Sequence, residues 1–168
     1  MIKRFRTWFE HECDSNQKML AMIESVPGDA RTDERFHRSL TLAGHLAACR
    51  ENWLDRMTTG GENQTDWWPT SFSDIASLRT RYSAMETDWR NYLLKLDHDA
   101  LSQDFEFASG GTRYRWSIEG QLVQLLGHAH YHRGQIALLV TQLGGEAVDT
   151  DYLYWAIAQN PNYGKVSD

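Results

Sequence analysis

Apolar residues recur at three- and four-residue spacing through four long stretches of the chain, the period of helices with one buried face. Over residues 2–26 the stripe is Phe5, Trp8, Phe9, Met19, Leu20 and Ile23, and Pro27-Gly28 ends it. A second stripe runs to about Met57 through Phe36, Leu40, Ala43, Leu46, Ala47, Trp53 and Leu54, with Thr32 or Asp33 placed to cap it. The third has the cleanest rhythm: Ile75, Leu78, Tyr82, Met85, Trp89, Tyr92 or Leu93, then Leu96, with Ser71 or Ser73 as cap. The fourth starts at Ser117 and stops at Gly144-Gly145, through Leu122, Leu125, Leu126, Ala129, Ile136, Ala137, Val140 and Leu143. Tyr152, Tyr154 and Trp155 mark a short fifth helix over 151–158, followed by a polar tail.

The connections set the architecture. Residues 29–32 form a short link, so the second helix is expected to pack antiparallel to the first. Residues 58–70 are rich in glycine and polar side chains and long enough to cross the end of a bundle. Residues 97–116 hold a different pattern: Phe105 and Phe107 alternate with acids, Tyr114 and Trp116 alternate with arginines, and Gly110-Gly111 lies between them. That reads as a β-hairpin whose aromatic face lies on the bundle or on a partner. The expected fold is all-α: one domain over residues 1–168, a four-helix bundle with long crossover connections, a small hairpin between the third and fourth long helices, and a short C-terminal helix.

Polar residues intrude on these stripes, and there the chemistry begins. His128 and His132 are four apart and only about 40° apart around the helix, so two imidazoles stack on one face. That face also carries Leu125, Gln135 and Leu139, so it points into the bundle. Two imidazoles so placed can share a divalent ion. His130 falls about 200° round from His128 and is expected to lie apart. His45, in an apolar stretch of the second helix, is the best third ligand; the alternative is a core histidine with one hydrogen-bond partner. Cys49 shares the His45 face and could reach the same ion, or act only as a small buried side chain. Asn16 is either a tolerated polar residue at a helix edge or a hydrogen-bonding group near the site. Arg133 reads as an anion anchor or as half of an ion pair, and Gln135 as a group that holds a ligand or a water next to the ligands. Trp67-Trp68 could cap the core, cover a pocket or face another chain.

Composition narrows the classes. The net charge of −6 opposes nucleic acid as a partner, since duplex binding needs a basic surface. No run approaches the ~18 apolar residues of a membrane span. The N-terminal basic residues precede no apolar run, which reads against a secretory signal, and a cytoplasmic location is expected. Two cysteines, Cys13 and Cys49, make neither a disulfide framework nor a zinc knuckle.

A histidine midway along the second helix, followed far downstream by His128, His132, Arg133, Gly134, Gln135 and Ile136, resembles the DinB family of metal-binding helical bundles. The Leu143-Gly144-Gly145 ending and Asp151-Tyr152 add to the likeness, which covers most of the chain. The family is distinct from the DNA polymerase of the same name. The resemblance implies a bundle with crossover connections, often a homodimer, and one divalent ion per chain on His45, His128 and His132. Zinc or nickel is favoured, with iron or manganese as alternatives. It also points to thiol-dependent enzymes, namely bacillithiol S-transferases and mycothiol-dependent isomerases. No His-Glu-x-x-His segment supplies a built-in base, and no catalytic side chain can be named. The expected activity is therefore S-transfer with a low-molecular-weight thiol and an electrophile. The alternatives are a metal-dependent hydrolase, a non-catalytic metal-binding stress-response protein, or a bundle in which the histidines are a hydrogen-bonded core. The Trp67-Trp68 loop and the aromatic hairpin suggest a homodimer.

Overall fold

The computed structural model describes residues 1–61, 65–69, 74–160 and 162–164. Four long helices form the bundle: α1 (Ile2–Glu24), α2 (Glu34–Thr59), α3 (Ile75–Lys95) and α5 (Ile118–Gln142). A single turn, α4 (His98–Leu101), precedes the hairpin β1 (Asp104–Ser109) and β2 (Thr112–Ser117), and α6 (Tyr152–Gln159) follows α5. The α4 turn was not anticipated from the pattern.

Local chemistry sets the element ends. The Asp33 side chain accepts from the Arg35 amide at the start of α2, and Ser117 accepts from Gly120 at the start of α5. The candidate caps Ser71 and Ser73 lie outside the described residues; Asp74 caps α3 through the Ser77 amide. Gly110 and Gly111 take φ of 55° and 79°, the left-handed pair that a two-residue hairpin turn demands. The antiparallel register sets Phe105 opposite Trp116 and Phe107 opposite Tyr114, so all four rings share one face.

The expected adjacency of α1 and α2 is corrected. Helix α1 packs chiefly on α3 and α5, and α2 on α5 and α3, so α1 and α2 touch only lightly across the diagonal. The link contains a 3-10 turn, Gly28–Thr32, whose Arg31 ties back to the carbonyls of Val26 and Glu24 at 2.9 and 2.6 Å. This turn carries the chain over the end of the bundle. Aromatics on α3 then lock the helices together: Tyr82 donates to the Ala43 carbonyl at 2.8 Å and Trp89 to the Arg50 carbonyl at 2.9 Å. Every residue from Leu42 to Arg50 is buried, so the middle of α2 is enclosed on all sides. Its Ala43, Gly44, Ala47 and Ala48 are small, which lets neighbours approach closely around His45.

Candidate metal centre

The site lies in the seam between α2 and α5, the most extensively packed pair of helices. His45 projects from α2, and His128 and His132 from successive turns of α5. The three rings meet, with centroids 5.2 Å apart for His45 and His128, 5.1 Å for His45 and His132, and 4.6 Å for His128 and His132. The Nε2 atoms of His45 and His128 face each other at 3.3 Å.

The second nitrogens point outward to acceptors. His45 Nδ1 lies 2.6 Å from the Trp67 carbonyl, and His132 Nδ1 lies 2.7 Å from Gln135 Oε1. A carbonyl oxygen can only accept, so each Nδ1 carries the proton and each Nε2 keeps a lone pair. This is how metal-binding imidazoles are held: one nitrogen donates to a fixed oxygen and the other is aimed at the ion.

Two further observations fit a divalent ion. Nitrogen ligands at ~2.0–2.1 Å in a tetrahedron are separated by roughly 3.3 Å, which matches the His45–His128 spacing. Burial, and then the nearby His132, His45 and Arg50, push the His128 pKa down to about 4, so the ring is neutral near pH 7 with a lone pair available. His45 is also lowered, mainly by burial. Among the described residues, His45, Cys49 and His128 offer ligand atoms all within 4.8 Å of one another, a group able to hold a metal ion. His132 sits beside this group, its ring against both other imidazoles.

The cover comes from the loop after α2. Asn52, fully buried, donates to the Thr65 carbonyl at 2.9 Å and accepts from its amide at 2.5 Å, which pins the returning chain. Trp68 then lies flat on the His45 ring, with centroids 3.6 Å apart and planes within 5°. The Arg38 guanidinium stands 5.5 Å from the Trp68 ring. Trp67 joins Trp53 and Phe107 around the buried Arg56, with guanidinium-to-ring distances of 4.8 to 4.9 Å. Of the roles open to the tryptophan pair, the structure selects cover for the histidines by Trp68 and packing at the end of α2 by Trp67.

The other candidate residues separate. Gln135 is in place beside His132. Asn16 and Arg133 belong to an adjoining buried network: Arg133 Nη1 donates to Asn16 Oδ1 at 3.3 Å, and Asn16 Nδ2 donates to Glu86 at 3.1 Å. Arg133 is 2 % exposed, so it lies in the interior rather than at the surface. Sequence reasoning missed Glu12 and Arg50, a buried, two-pronged ion pair beside this network. Glu12, Asn16, Arg50, Tyr82 and His128 line a cavity of about 10 Å³, room for one water. His130 lies apart from the site; its Nδ1 bonds the Leu126 carbonyl at 2.7 Å and its ring stacks on His11.

The DinB family model matches residues 1–162. The chain belongs to the DinB family. No curated protein and no solved structure matches it. In this DinB chain the His-x-x-x-His-Arg-Gly-Gln-Ile segment divides its work between two faces of α5. His128, His132 and Gln135 serve the seam with α2, while Arg133 and Ile136 turn into the interior toward α1 and α3. Among the described residues, no helix is long and apolar enough to cross a membrane.

Proposed function

We propose that this protein holds one divalent ion on His45, His128 and His132 and uses it in S-transfer from a low-molecular-weight thiol to an electrophile. The observation that carries the reading is the pair of Nε2 atoms of His45 and His128 3.3 Å apart, with the outward nitrogens of His45 and His132 fixed as donors. Zinc or nickel suits this nitrogen-rich set best, ahead of iron or manganese. The ion, when bound, lowers the pKa of a thiol or water that joins it.

The residues favour thiol over water as the nucleophile. A hydrolase needs a base to orient and deprotonate water, and the carboxylate that shares a cavity with His128 is Glu12, already held by Arg50. Thiol chemistry needs no such base. Trp68 excludes water from the His45 face and offers an apolar wall to an electrophile. Arg38 beside it gives that wall a positive edge. We place the protein in the cytoplasm, in a stress-response setting. We also propose a homodimer, resting on Tyr114 and Trp116, each 47 % exposed, and on the apolar side chains Val123, Tyr131 and Leu138 on the outer face of α5.

The experiment is a screen of metal-loaded protein with several cellular thiols and a chromogenic electrophile. Turnover with at least one thiol, absent from a metal-stripped control, is expected. No turnover with any thiol would leave a metal-dependent hydrolase or a non-catalytic metal-binding protein.

A further inference from the structure

We propose that α6 is a latch held on α1 by the neutral form of His11, and that acid releases it while the four-helix bundle stays folded. The latch uses none of the candidate metal ligands, so it stands or falls apart from the metal reading.

The attachment of α6 is narrow. No residue of α6 is buried, and Leu153 and Tyr154 are 58 % and 63 % exposed. Among the described residues, one hydrogen bond ties the chain beyond Glu146 to the bundle. His11 Nε2 lies 2.9 Å from the carbonyl of Thr150, the residue just before the capping Asp151. The same segment encloses the His11 ring. Tyr152 and Trp155 set their rings against it, with centroids at 5.3 and 5.4 Å, and His130 stacks on it from α5 at 6.0 Å. His11 is 2 % exposed as a result. A helix that buries nothing of its own thus closes over a titratable side chain of α1.

The hydrogen bonds fix where an added proton goes. A carbonyl oxygen only accepts, so His11 Nε2 carries the hydrogen. Ser15 spends its own hydrogen on the His11 carbonyl at 2.9 Å and lies 3.2 Å from the same Nε2 as a second acceptor. A second proton must therefore enter at Nδ1, which has no hydrogen-bond partner among the described residues. The charged groups around the ring do not welcome it. Arg133 and His130 face it from α5 and oppose a positive charge; Asp14, on α1 itself, favours one but is already paired with Lys18 at 2.9 Å. Tyr152 is the titratable side chain that α6 brings to the ring, and it arrives edge to face.

The sign follows from burial. Desolvation is the main cause that holds docked His11 below its ordinary 6.5; the Thr150 bond and Asp14 pull the other way, and Arg133 and His130 add to the lowering. A released α6 returns the ring to water, where it takes the proton near ~6.5. Docking is therefore at full strength above that value and weakens as pH falls below it. One pH unit below costs up to about tenfold in the docking equilibrium. The bundle itself is held by helix packing that does not depend on His11, so α6 leaves first.

Hydrogen–deuterium exchange of the full metal-free chain tests this. It is run at about pH 7.5 and about pH 5.5, one unit either side of ~6.5, and corrected for the intrinsic pH dependence of amide exchange. Protection of residues 152–159 should fall several-fold at the lower pH, up to about tenfold, while that of α3 changes much less. His11→Gln and His11→Phe carry no titrating ring at this position, and in both the protection of 152–159 should be the same at the two pH values. Equal protection of 152–159 at both pH values in the unaltered protein would overturn the proposal. So would a matching fall in α3, which would mean that the whole bundle opens. A fall that survives both substitutions would assign the response to another group and overturn it as well.

Discussion

Two buried polar regions lie side by side in this bundle, and they differ in one respect. Between α1, α2, α3 and α5, Arg50 pairs with Glu12, and beside them Asn16 accepts from Arg133 and donates to Glu86. In the seam of α2 and α5, His45, Cys49 and His128 bring nitrogen and sulfur atoms to within 3.3 to 3.4 Å of one another. The first region is held by ion pairs and hydrogen bonds between its own side chains, although Arg133 Nε and Nη2 find no partner there. The second gathers side chains whose ligand atoms could hold a metal ion. Burial of polar groups is thus not the mark of a site; convergence of atoms able to ligate a metal ion is. The two regions touch at the small cavity lined by both Glu12 and His128, so substitutions can tell them apart.

The sharpest contrast pairs Glu12→Ala with His128→Ala. Glu12→Ala leaves Arg50 buried without its partner and should cost about 3–5 kcal/mol, read by urea unfolding of metal-free protein. His128→Ala should cost the metal-free fold much less. It should instead weaken metal binding by more than the ~100-fold that losing an outer partner of a ligand costs. If both variants lose stability equally, or Glu12→Ala loses only metal, the division between the regions fails.

Acid should act on the regions in opposite senses. His128 is held at about 4, below its ordinary 6.5, so the unfolded chain takes up the proton first as pH falls. The metal-free protein should therefore lose stability from about pH 6.5 down toward pH 4, and His128→Ala should flatten that limb. Glu86 is raised, mainly by burial, so the folded chain binds the proton more readily than the unfolded one. Its contribution is fullest in acid and is lost as pH rises through its folded pKa. Unfolding free energies measured across pH in His128→Ala and in Glu86→Gln check the two signs.

Smaller effects follow from the supports. Gln135→Ala frees His132 Nδ1 and should weaken metal binding ~10–100-fold with little change in the metal-free fold, measured by competition with a chelating dye. Glu86→Gln keeps an acceptor for Asn16 without a buried charge and should shift stability at neutral pH by no more than ~1 kcal/mol, with metal affinity unchanged. A large fall in metal affinity for Glu86→Gln would join the two regions into one functional unit.

Much of this was legible in the residues. The helical stripes placed the long elements within a few residues, because a four-helix core leaves a simple period of apolar positions. The His128 and His132 pair followed from spacing alone, and Gln135 from being one turn on. The Glu12–Arg50 pair was missed although Glu12 keeps the rhythm of Phe5, Phe9 and Asn16 on the buried face. A lone acid on a helix reads as solvated, and its partner lay 38 residues away on another helix. The diagonal placement of α1 and α2 depends on a 3-10 turn whose path no periodicity records. The stacking of Trp68 on His45 depends on Asn52 pinning the loop through its backbone, a contact without a sequence pattern.

The central claim is that the α2–α5 seam binds a divalent ion through its histidines, and calorimetric titration of metal-free protein with zinc tests it most directly. The account expects one ion per chain, with binding abolished or drastically weakened in His45→Ala and in His132→Ala and unchanged in His130→Ala. Absence of binding in the unaltered protein, or equal loss from His130→Ala, would contradict it.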